Sequence, residues 1–516
     1  MELIETRKVS SKKTKWNNTP TKSIRVPQIM ANNLLNIARS LDTLPLELIT
    51  DLTIKFHREI ATYKEKLEPK EAPKIQILPT ETDIPKVVKS EKPTKLTPSQ
   101  QAAFDQLKQF IEGKLKYFRL TGYAGTGKSF LICKFIRWLL AEGYDVTAAA
   151  PTNKAAKNLT KIAQENHIKI EATTIAKLLG QQPELSKESG KEEFTSIREP
   201  HVEGIVILDE YSMINKSNFE QLITEAKKNK HTKLIFVGDA AQLPPVGEDE
   251  PVVQNSPLIQ ESATLEEVVR YDGEIGKVAE TIRDGKYTYR VYPFTSTTDK
   301  TIITMEKEEW MESAAAHFKC LKFQQDSDYS RILVWRNRTA DALNDWVREQ
   351  LWGENCPAFC KGDRLIAKKP VFRPSPSKKN GEDIDWAIEM NNSEECVVTE
   401  EAILNQTVTG WQYWEVLTKS DDKKEITLKI LTPEAEKMRQ QHIEAYKQKK
   451  QYEQMINLDK SYDHIAFAYA LTTHKAQGSS INHVFMDVKD MKISNDRQKL
   501  IYTALTRAKS RAYILI

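Results

Sequence analysis

The sequence has few cysteines, no long apolar run and little net charge, and each absence excludes a class of protein. Its five cysteines are scattered and odd in number, which argues against a disulfide framework. No stretch approaches the roughly 18 consecutive apolar residues of a membrane-spanning helix. The 76 basic and 72 acidic side chains leave a formal charge of +4, so any nucleic-acid surface must be a local feature.

Two further absences bear on metal binding and location. Cys356 and Cys360 have the spacing of a metal-binding pair, but no second pair of cysteine or histidine residues stands nearby to complete four ligands. We therefore expect reduced thiols rather than a zinc site. The opening stretch, MELIETRK, lacks the apolar centre of a signal peptide, and we expect a cytoplasmic or nucleoid-associated protein.

The length of 516 residues predicts about three domains. Residues 1–67 have the pattern of a basic arm and a small strand-helix-helix module, an α-rich extension. That module is either a DNA-binding or dimerisation unit of the ribbon-helix-helix kind or a plain helical appendage. Residues 68–95 are rich in Pro, Lys and Glu and predict an extended linker.

From residue 96, apolar runs alternate with amphipathic helices, which is typical of a parallel α/β sheet. Two such blocks are predicted, and a β-rich insert with a charged helix from Pro433 to about Gln454 interrupts the second. We place the first block at 96–264 with a pin insertion at 181–203, the second block at 265–345 and 465–516, and the inserted subdomain at 346–464.

The stretch GYAGTGKS follows a predicted strand and opens a predicted helix, as a phosphate-binding loop requires. Its glycines let backbone N–H groups approach phosphates, and the helix N-terminus adds a positive dipole end. Lys128 is expected to reach the β- and γ-phosphates, and the Ser129 hydroxyl to ligate Mg²⁺. The nucleotide-binding residues predicted here are Gly122, Gly125, Thr126, Gly127, Lys128 and Ser129.

Two later strand ends carry polar residues suited to hydrolysis. Asp209 ends a buried apolar run, where its carboxylate can hold Mg²⁺, and Glu210 can orient and deprotonate the attacking water. Asp239 and Gln242 end the next strand, and Gln242 can sense the γ-phosphate. An Asp-Glu pair at a strand end also begins many ordinary solvated loops.

The base is predicted to be adenine. The guanine-recognition motif Asn-Lys-x-Asp does not occur, while LTPSQQAAF, before the first strand, offers Gln100, whose amide can read the adenine edge. We therefore predict ATP and Mg²⁺ as cofactors.

These segments stand in the order of superfamily 1 helicase motifs. They are Gln100, the phosphate loop, APTNKAAK, LDEYSM, GDAAQLPP, LEEVVR, ALTTHKAQGSS and YTALTRAKS. The wording of THKAQGSSI and GDAAQLPPVG resembles the RecD-like and Dda-like group B branch rather than the UvrD-like and Rep-like branch. The resemblance covers about 96–516 and implies two RecA-like domains with an SH3-like insert.

The resemblance also implies that ATP binds between the two RecA-like domains. Lys128, Glu210 and Gln242 would come from the first domain. Arg507 would come from the second domain and Arg270 from the junction, both as arginine fingers that neutralise charge on the γ-phosphate. Catalysis would then require both halves of the chain.

The segment ALTTHKAQGSS would serve the nucleotide and a DNA strand together. The resemblance places Gln477 and Gly478 beside the nucleotide. The residues that it implies for contacts with the strand backbone are Pro151, Thr152, Thr174, Asn337, Thr473, His474 and Ser479. As an alternative, Thr and Ser in loops commonly cap helices.

A hairpin within 181–201 is expected to separate duplex strands, with Phe194 as its wedge, although a plain solvated loop explains the same composition. Trp335 suits either base stacking or core packing. Two residues depart from the family pattern: Ala176 where His is common, and Tyr271 where Gln is common.

We therefore expect an ATP-dependent DNA helicase that moves 5′ to 3′, acts as a monomer and binds single-stranded DNA and single-strand/duplex junctions. Its polarity is implied by the group B resemblance alone. The alternatives are an ATP-driven translocase that never separates strands and a non-motor, ATP-binding DNA scaffold.

Overall fold

The computed structural model describes residues 95–185, 192–196, 198–267, 274–285, 296–326, 328–375 and 385–516. Side chains are described throughout these ranges except at 182–185, 192–196, 375 and 385. The predicted module at 1–67 and the predicted linker as far as residue 94 lie outside the described residues. So do Arg270 and Tyr271.

The first α/β block is built on a six-stranded sheet. The strands up to residue 265 are β1 (Tyr117–Gly122), β2 (Val146–Ala150), β3 (Thr173–Thr174), β4 (Gln181–Leu185), β5 (Glu192–Ser196), β6 (Ile205–Leu208), β7 (Lys233–Gly238) and β8 (Glu261–Leu265). Six of them pair in parallel in the order β3-β2-β6-β7-β1-β8. Every residue of β6 is buried, as expected of a central parallel strand covered on both faces.

Capping residues mark where helices of this block begin. The helices are α1 (Pro98–Glu112), α2 (Lys128–Ala141), α3 (Asn153–Glu165), α4 (Ile175–Leu178), α5 (Lys216–Lys228) and α6 (Val252–Asn255). At α1, Thr97 and Gln100 form a reciprocal capping box and Pro98 occupies the first turn. Asn215 caps α5 through its side-chain oxygen.

Strands β4 and β5 form a separate antiparallel hairpin inside the first block. Their register pairs Gln181 with Ser196 and Pro183 with Phe194. Residues 186–191, between the two strands, lie outside the described residues. The strand-separating role of this hairpin stays a prediction.

The rest of the chain forms a second parallel sheet and an antiparallel insert. Its strands are β9 (Ile302–Met305), β10 (Ser330–Val334), β11 (Arg364–Ala367), β12 (Val371–Ser375), β13 (Asp385–Met390), β14 (Glu395–Val398), β15 (Ile403–Gln406), β16 (Gln412–Ser420), β17 (Glu425–Leu431), β18 (Ile465–Phe467), β19 (Ala470–Thr472), β20 (Ile481–Asp487) and β21 (Ala508–Leu515). Its helices are α7 (Glu274–Arg283), α8 (Lys307–Lys319), α9 (Leu321–Gln325), α10 (Asn337–Trp352), α11 (Pro433–Gln448), α12 (Tyr452–Lys460), α13 (Val488–Met491) and α14 (Arg497–Leu505).

The second sheet has the parallel order β19-β10-β20-β21-β9, and the insert has the antiparallel order β15-β16-β14-β11-β18 with β17 on β16. The predicted fold class, two RecA-like parallel sheets with a β-rich insert, is therefore confirmed. The domain boundaries stay predictions. Among the described helices, none is long and apolar enough to cross a lipid bilayer.

The charged helix of the insert was predicted incorrectly as one element reaching about Gln454. Helix α11 ends at Gln448, and α12 begins at Tyr452. Lys450 between them has a φ of 55°, in the left-handed region that ends a helix. Arg439 of α11 pairs with Asp459 of α12 at 2.7 Å, which favours the folded-back arrangement. Neither glycine nor proline marks the break, so the sequence pattern did not predict it.

A buried charge network joins the first block, the second block and the insert. The Glu395 carboxylate of β14 lies 3.1 Å from the Lys154 ammonium of α3 and pairs with Arg331 of β10. Lys154 also lies 3.4 Å from Asp328. Arg331 and Glu395 are almost fully buried, so each charge depends on the other for compensation.

We predict that Glu395→Gln lowers the free energy of unfolding by about 3–5 kcal/mol, because it leaves the Arg331 guanidinium buried without a carboxylate. Urea denaturation of the full chain measures this change. The control is Asp422→Asn, which removes an exposed partner of Lys157 and should cost no more than about 1 kcal/mol. Equal losses in the two variants would contradict the assignment.

The same carboxylate predicts a pH dependence. Burial by itself would raise the pKa of Glu395, but Arg331 and Lys154 outweigh it and lower that pKa from 4.5 to about 2. A carboxylate with a lowered folded-state pKa stabilises the fold above its unfolded pKa and loses that contribution as the pH falls. The stability difference between the wild type and Glu395→Gln should therefore shrink between about pH 4.5 and pH 2. A constant difference in denaturation series across this window would refute the prediction.

Candidate active site

The phosphate loop connects the end of β1 to the start of α2. Gly125 and Gly127 have φ values of 86° and 77°, which a residue with a side chain rarely adopts. A Cβ on Gly127 would lie 2.5 Å from Nε2 of Gln100. The loop conformation therefore requires glycine at these positions, as the motif predicted.

Gln100 supports this loop from α1. Its Nε2 donates to the Thr126 carbonyl at 3.0 Å, and its Oε1 accepts from the Thr97 N–H at 3.1 Å. The side chain is buried. The amide thus braces the loop against the start of α1, and its expected recognition of adenine stays a prediction.

Lys128 is held over the loop by backbone carbonyls. Its Nζ donates to the carbonyl oxygens of Gly122 at 2.5 Å and Tyr123 at 3.0 Å. Ser129 follows it in the first turn of α2, half-buried. The ammonium and the hydroxyl therefore lie together at the N-terminus of a helix, where anions are stabilised.

Two carboxylates follow β6 at the same edge of the sheet. Burial, and then the charge of Glu210, raises the pKa of Asp209 to about 7. Glu210 has a φ of 53°, a strained left-handed conformation for a non-glycine residue, and its Oε2 is buried without a hydrogen-bond partner. A site that accepts such strain and such an unpaired atom has the features of a reaction centre.

The end of β7 adds a third polar pair. Gln242 is buried, and its Oε1 has no hydrogen-bond partner. Asp239 is fully buried and accepts a hydrogen bond of 2.7 Å from the Tyr502 hydroxyl. The ends of β1, β6 and β7 thus place the predicted first-domain groups along one edge, where parallel sheets bind ligands.

Arg507 reaches this edge from the second block. Its Nη1 lies 4.0 Å from Oε1 of Glu210, and the side chain is buried. Its Nη1 donates to the Ser479 carbonyl at 3.3 Å, and its Nε donates to the Thr503 carbonyl at 3.2 Å. These two hydrogen bonds orient the guanidinium. The structure therefore brings together the groups that the sequence analysis assigned to opposite halves.

Other second-block residues line the same interface. Gln477 is buried and donates from Nε2 to the Leu243 carbonyl at 3.1 Å. A Cβ on Gly478 would lie 2.9 Å from Cβ of Ala155, so the backbones of the two blocks approach closely here. Both residues lie where the two blocks meet, and their predicted position beside the nucleotide stays a prediction.

Several hydroxyls predicted to contact a DNA strand have other partners. Thr152 caps α3 and Thr174 caps α4 through their side-chain oxygens. Thr473 is fully buried and donates to the Val334 carbonyl at 3.1 Å. Ser479 is also buried, and its carbonyl accepts from Arg507. Thr473 and Ser479 are the most buried of the predicted strand contacts, and their role in binding DNA stays a prediction.

The remaining predicted strand contacts are more accessible. Pro151 is half-exposed at the end of β2, and Asn337 is exposed at the first position of α10. His474 is half-buried, and burial lowers its pKa. Trp335 is half-buried and packs against the core of the second block, which favours its packing interpretation. The Phe194 side chain lies outside the described part of the chain.

The sequence analysis missed Tyr502. Its hydroxyl donates to Asp239 and accepts from the Ala124 N–H of the phosphate loop at 3.2 Å. It lies in YTALTRAKS, the segment already singled out for Arg507. The sequence signal that could have identified Tyr502 is its position five residues before Arg507 in this motif.

The residues at this edge fit a magnesium nucleotide. The raised pKa of Asp209 and the unpaired Oε2 of Glu210 show that two carboxyl groups lie close together there, although Arg507 lies 4.0 Å from the other oxygen of Glu210. A divalent cation would stabilise both carboxylates. Ser129 and Asp209 would hold it, with Lys128 and the loop N–H groups on the phosphates.

The chain is similar to known proteins in several segments. Residues 95–302 match an AAA domain family, and residues 467–515 match the UvrD-like helicase C-terminal domain. The chain is 25% identical to "ATP-dependent DNA helicase dda" of Enterobacteria phage T4 over 451 residues, 80% of this chain and 98% of that protein. It is 24% identical to an uncharacterized protein of Acanthamoeba polyphaga mimivirus over 504 residues, 81% of this chain and 99% of that protein.

Among solved structures, the Pif1 helicase from Bacteroides in complex with ADP-AlF3 and ssDNA has a TM-score of 0.43 and 15% identity. The match covers 82% of this chain and 92% of that one.

We predict that Arg507→Ala binds ATP nearly as well as the wild type but hydrolyses it about 10³–10⁵ times more slowly. The variant lacks the guanidinium that offsets charge on the γ-phosphate. Binding of a fluorescent ATP analogue and steady-state hydrolysis separate the two effects. The control is Arg511→Ala in β21, the strand that Arg507 precedes, because Arg511 hydrogen-bonds Tyr513 of the same strand. An equal loss of nucleotide binding would show that Arg507 only maintains the fold.

Proposed function

We propose that this chain, which belongs to superfamily 1 group B of the helicases, hydrolyses ATP with Mg²⁺ to move 5′ to 3′ along single-stranded DNA and separate duplex strands. One observation carries the proposal most directly. The Arg507 guanidinium of the second block lies 4.0 Å from the Glu210 carboxylate of the first. An enzyme whose reaction centre is divided in this way can convert each hydrolysis cycle into relative movement of its two halves.

The assigned chemistry is hydrolysis of the terminal phosphate. Lys128 binds the β- and γ-phosphates. Glu210 accepts a proton from a water molecule while the oxygen of that water bonds to the γ-phosphorus. The bond to the bridging oxygen breaks, giving ADP and phosphate. Arg507 and Arg270 offset the charge of the transferring group, and Gln242 senses it. Mg²⁺, when bound, polarises the phosphoryl oxygens.

The proposed strand track crosses both blocks. Pro151, Thr152 and Thr174 belong to the first block, and Asn337 and His474 to the second. Neutral side chains and backbone amides can hold phosphates without reading bases, as movement along any sequence requires. We assign single-stranded DNA and single-strand/duplex junctions as the partners of a monomeric motor, with a cytoplasmic or nucleoid location.

Three observations support direction and unwinding. The motif wording that resembles group B supports 5′ to 3′ movement. The β4–β5 hairpin, with Phe194 on its second strand, supplies an element that can enter a duplex junction. The T4 relative carries the name of an ATP-dependent DNA helicase and spans nearly the same length as the matched region.

A strand-displacement assay tests direction and unwinding together. We predict that the full chain with MgATP unwinds a duplex with a 5′ single-stranded tail and leaves the 3′-tailed and blunt duplexes intact. Unwinding of the 3′-tailed substrate would reverse the assigned polarity. A tailed RNA duplex in parallel determines whether the activity is specific for DNA.

Two controls identify the alternatives. Lys128→Ala should abolish both hydrolysis and displacement, because the phosphates lose their ammonium ligand. A translocase would hydrolyse ATP in response to DNA without displacing a strand. It would also remove streptavidin from the 3′ end of a biotinylated strand. ATP binding without DNA-stimulated hydrolysis in the wild type would identify a non-motor scaffold.

A further inference from the structure

The tip of the phosphate loop, defined here as Tyr123 and Ala124, is held by side chains of the second block. The guanidinium carbon of Arg283, the last residue of α7, lies 3.7 Å from the centre of the Tyr123 ring. The Tyr502 hydroxyl of α14 accepts a hydrogen bond from the Ala124 N–H at 3.2 Å. Ala124 also packs against the buried core of the second block. Both residues of the tip are thus in contact with the opposite side of the cleft.

Arg283 is fixed within its own block. Its Nε donates to Asp284 at 2.7 Å, and the side chain is mostly buried. Nε2 of Gln498 donates to the carbonyls of Ile282 and Arg283 at 2.7 and 3.0 Å, which joins the end of α7 to α14. The helix that leads to Arg507 and the arginine that contacts the loop tip are therefore mechanically connected.

Tyr123 is connected in turn to the catalytic lysine. Its carbonyl oxygen accepts from Lys128 Nζ at 3.0 Å, from Thr126 Oγ1 at 2.9 Å and from the Thr126 N–H at 3.2 Å. The orientation of the Tyr123 peptide therefore sets where the Lys128 ammonium lies. The ring that Arg283 contacts and the carbonyl that accepts from Lys128 belong to the same residue.

We propose that Arg283 and Tyr123 form a positioning pair through which the second block sets the phosphate loop for nucleotide binding. The pair rests on the proposed function, since it regulates access to the same ATP site. A cation over an aromatic face changes an equilibrium by about 2- to 30-fold, which is enough to tune affinity but far below the effect of an arginine finger. Arg283 acts on the nucleotide only by way of Tyr123 and Lys128.

The test is a double-mutant cycle in the full chain with Tyr123→Ala, Arg283→Ala and the double variant. Each alanine variant should raise the Kd of a fluorescent ATP analogue and the KM for ATP about 3- to 10-fold, with kcat changed by less than about 2-fold. The double variant should be no weaker than either single variant, because each change removes the same contact. Tyr123→Phe, which keeps the ring, should match the wild type.

Three results would overturn the pair: additive losses, unchanged affinity in both alanine variants, or a kcat loss of about 100-fold at constant KM for Arg283→Ala. The last would make Arg283 a catalytic group that touches phosphate. Arg283→Gln keeps the stem without the charge and replaces the alanine variant if that variant does not fold. Nucleotide binding needs no hydrolysis, so the cycle remains decisive even if the wild type shows no DNA-stimulated turnover and the proposed function fails.

Discussion

The approach of the Arg507 guanidinium to the Glu210 carboxylate is the contact on which the other features of the site depend. One group follows a strand of the first sheet, and the other precedes a strand of the second. In the proposed mechanism, the carboxylate that activates water comes from the first sheet together with Lys128, and the arginine finger comes from the second sheet. Because preorganised charges stabilise a transition state only when they are in place, the relative position of the two blocks becomes a catalytic variable.

The interface around this contact is tightly packed rather than open. Leu243 of the first block belongs to the buried core of the second, and Gly478 allows the backbone to approach Ala155. The Tyr502 hydroxyl bonds to Asp239 and to the phosphate loop at once. Small changes at such an interface are transmitted as movements of whole elements, because packed surfaces are not continuously deformable. This is the property that a motor needs at its nucleotide site.

The sequence was most informative where the physical requirement is local. A glycine-rich turn between a strand and a helix fixes the phosphate loop, and an apolar run ending in Asp209 fixes the next strand end. It was less informative where the answer depends on distant parts of the chain. Thr473 is buried because β19 pairs with β10, whose last carbonyl accepts a hydrogen bond from its hydroxyl. The break between the two helices of the insert places Lys450 in the left-handed backbone region, a conformation that a sequence pattern predicts only at glycine.

The helix-capping roles of Thr152 and Thr174 bear on the proposed contacts with a DNA strand. Thr152 uses its side chain to cap α3, and α10 begins at Asn337 in the opposite block. A capped helix N-terminus still directs backbone N–H groups and a positive dipole end towards solvent. At the start of α3, backbone N–H groups can bind a phosphate without side-chain hydroxyls, and backbone donors are the same for every DNA sequence. The start of α10 has no side-chain cap, and the Asp490 carboxylate accepts hydrogen bonds from the Trp335 and Arg336 N–H groups there. In the proposed mechanism, movement of one block against the other changes the distance between the strand contacts of the two blocks, which is the geometric requirement for stepping.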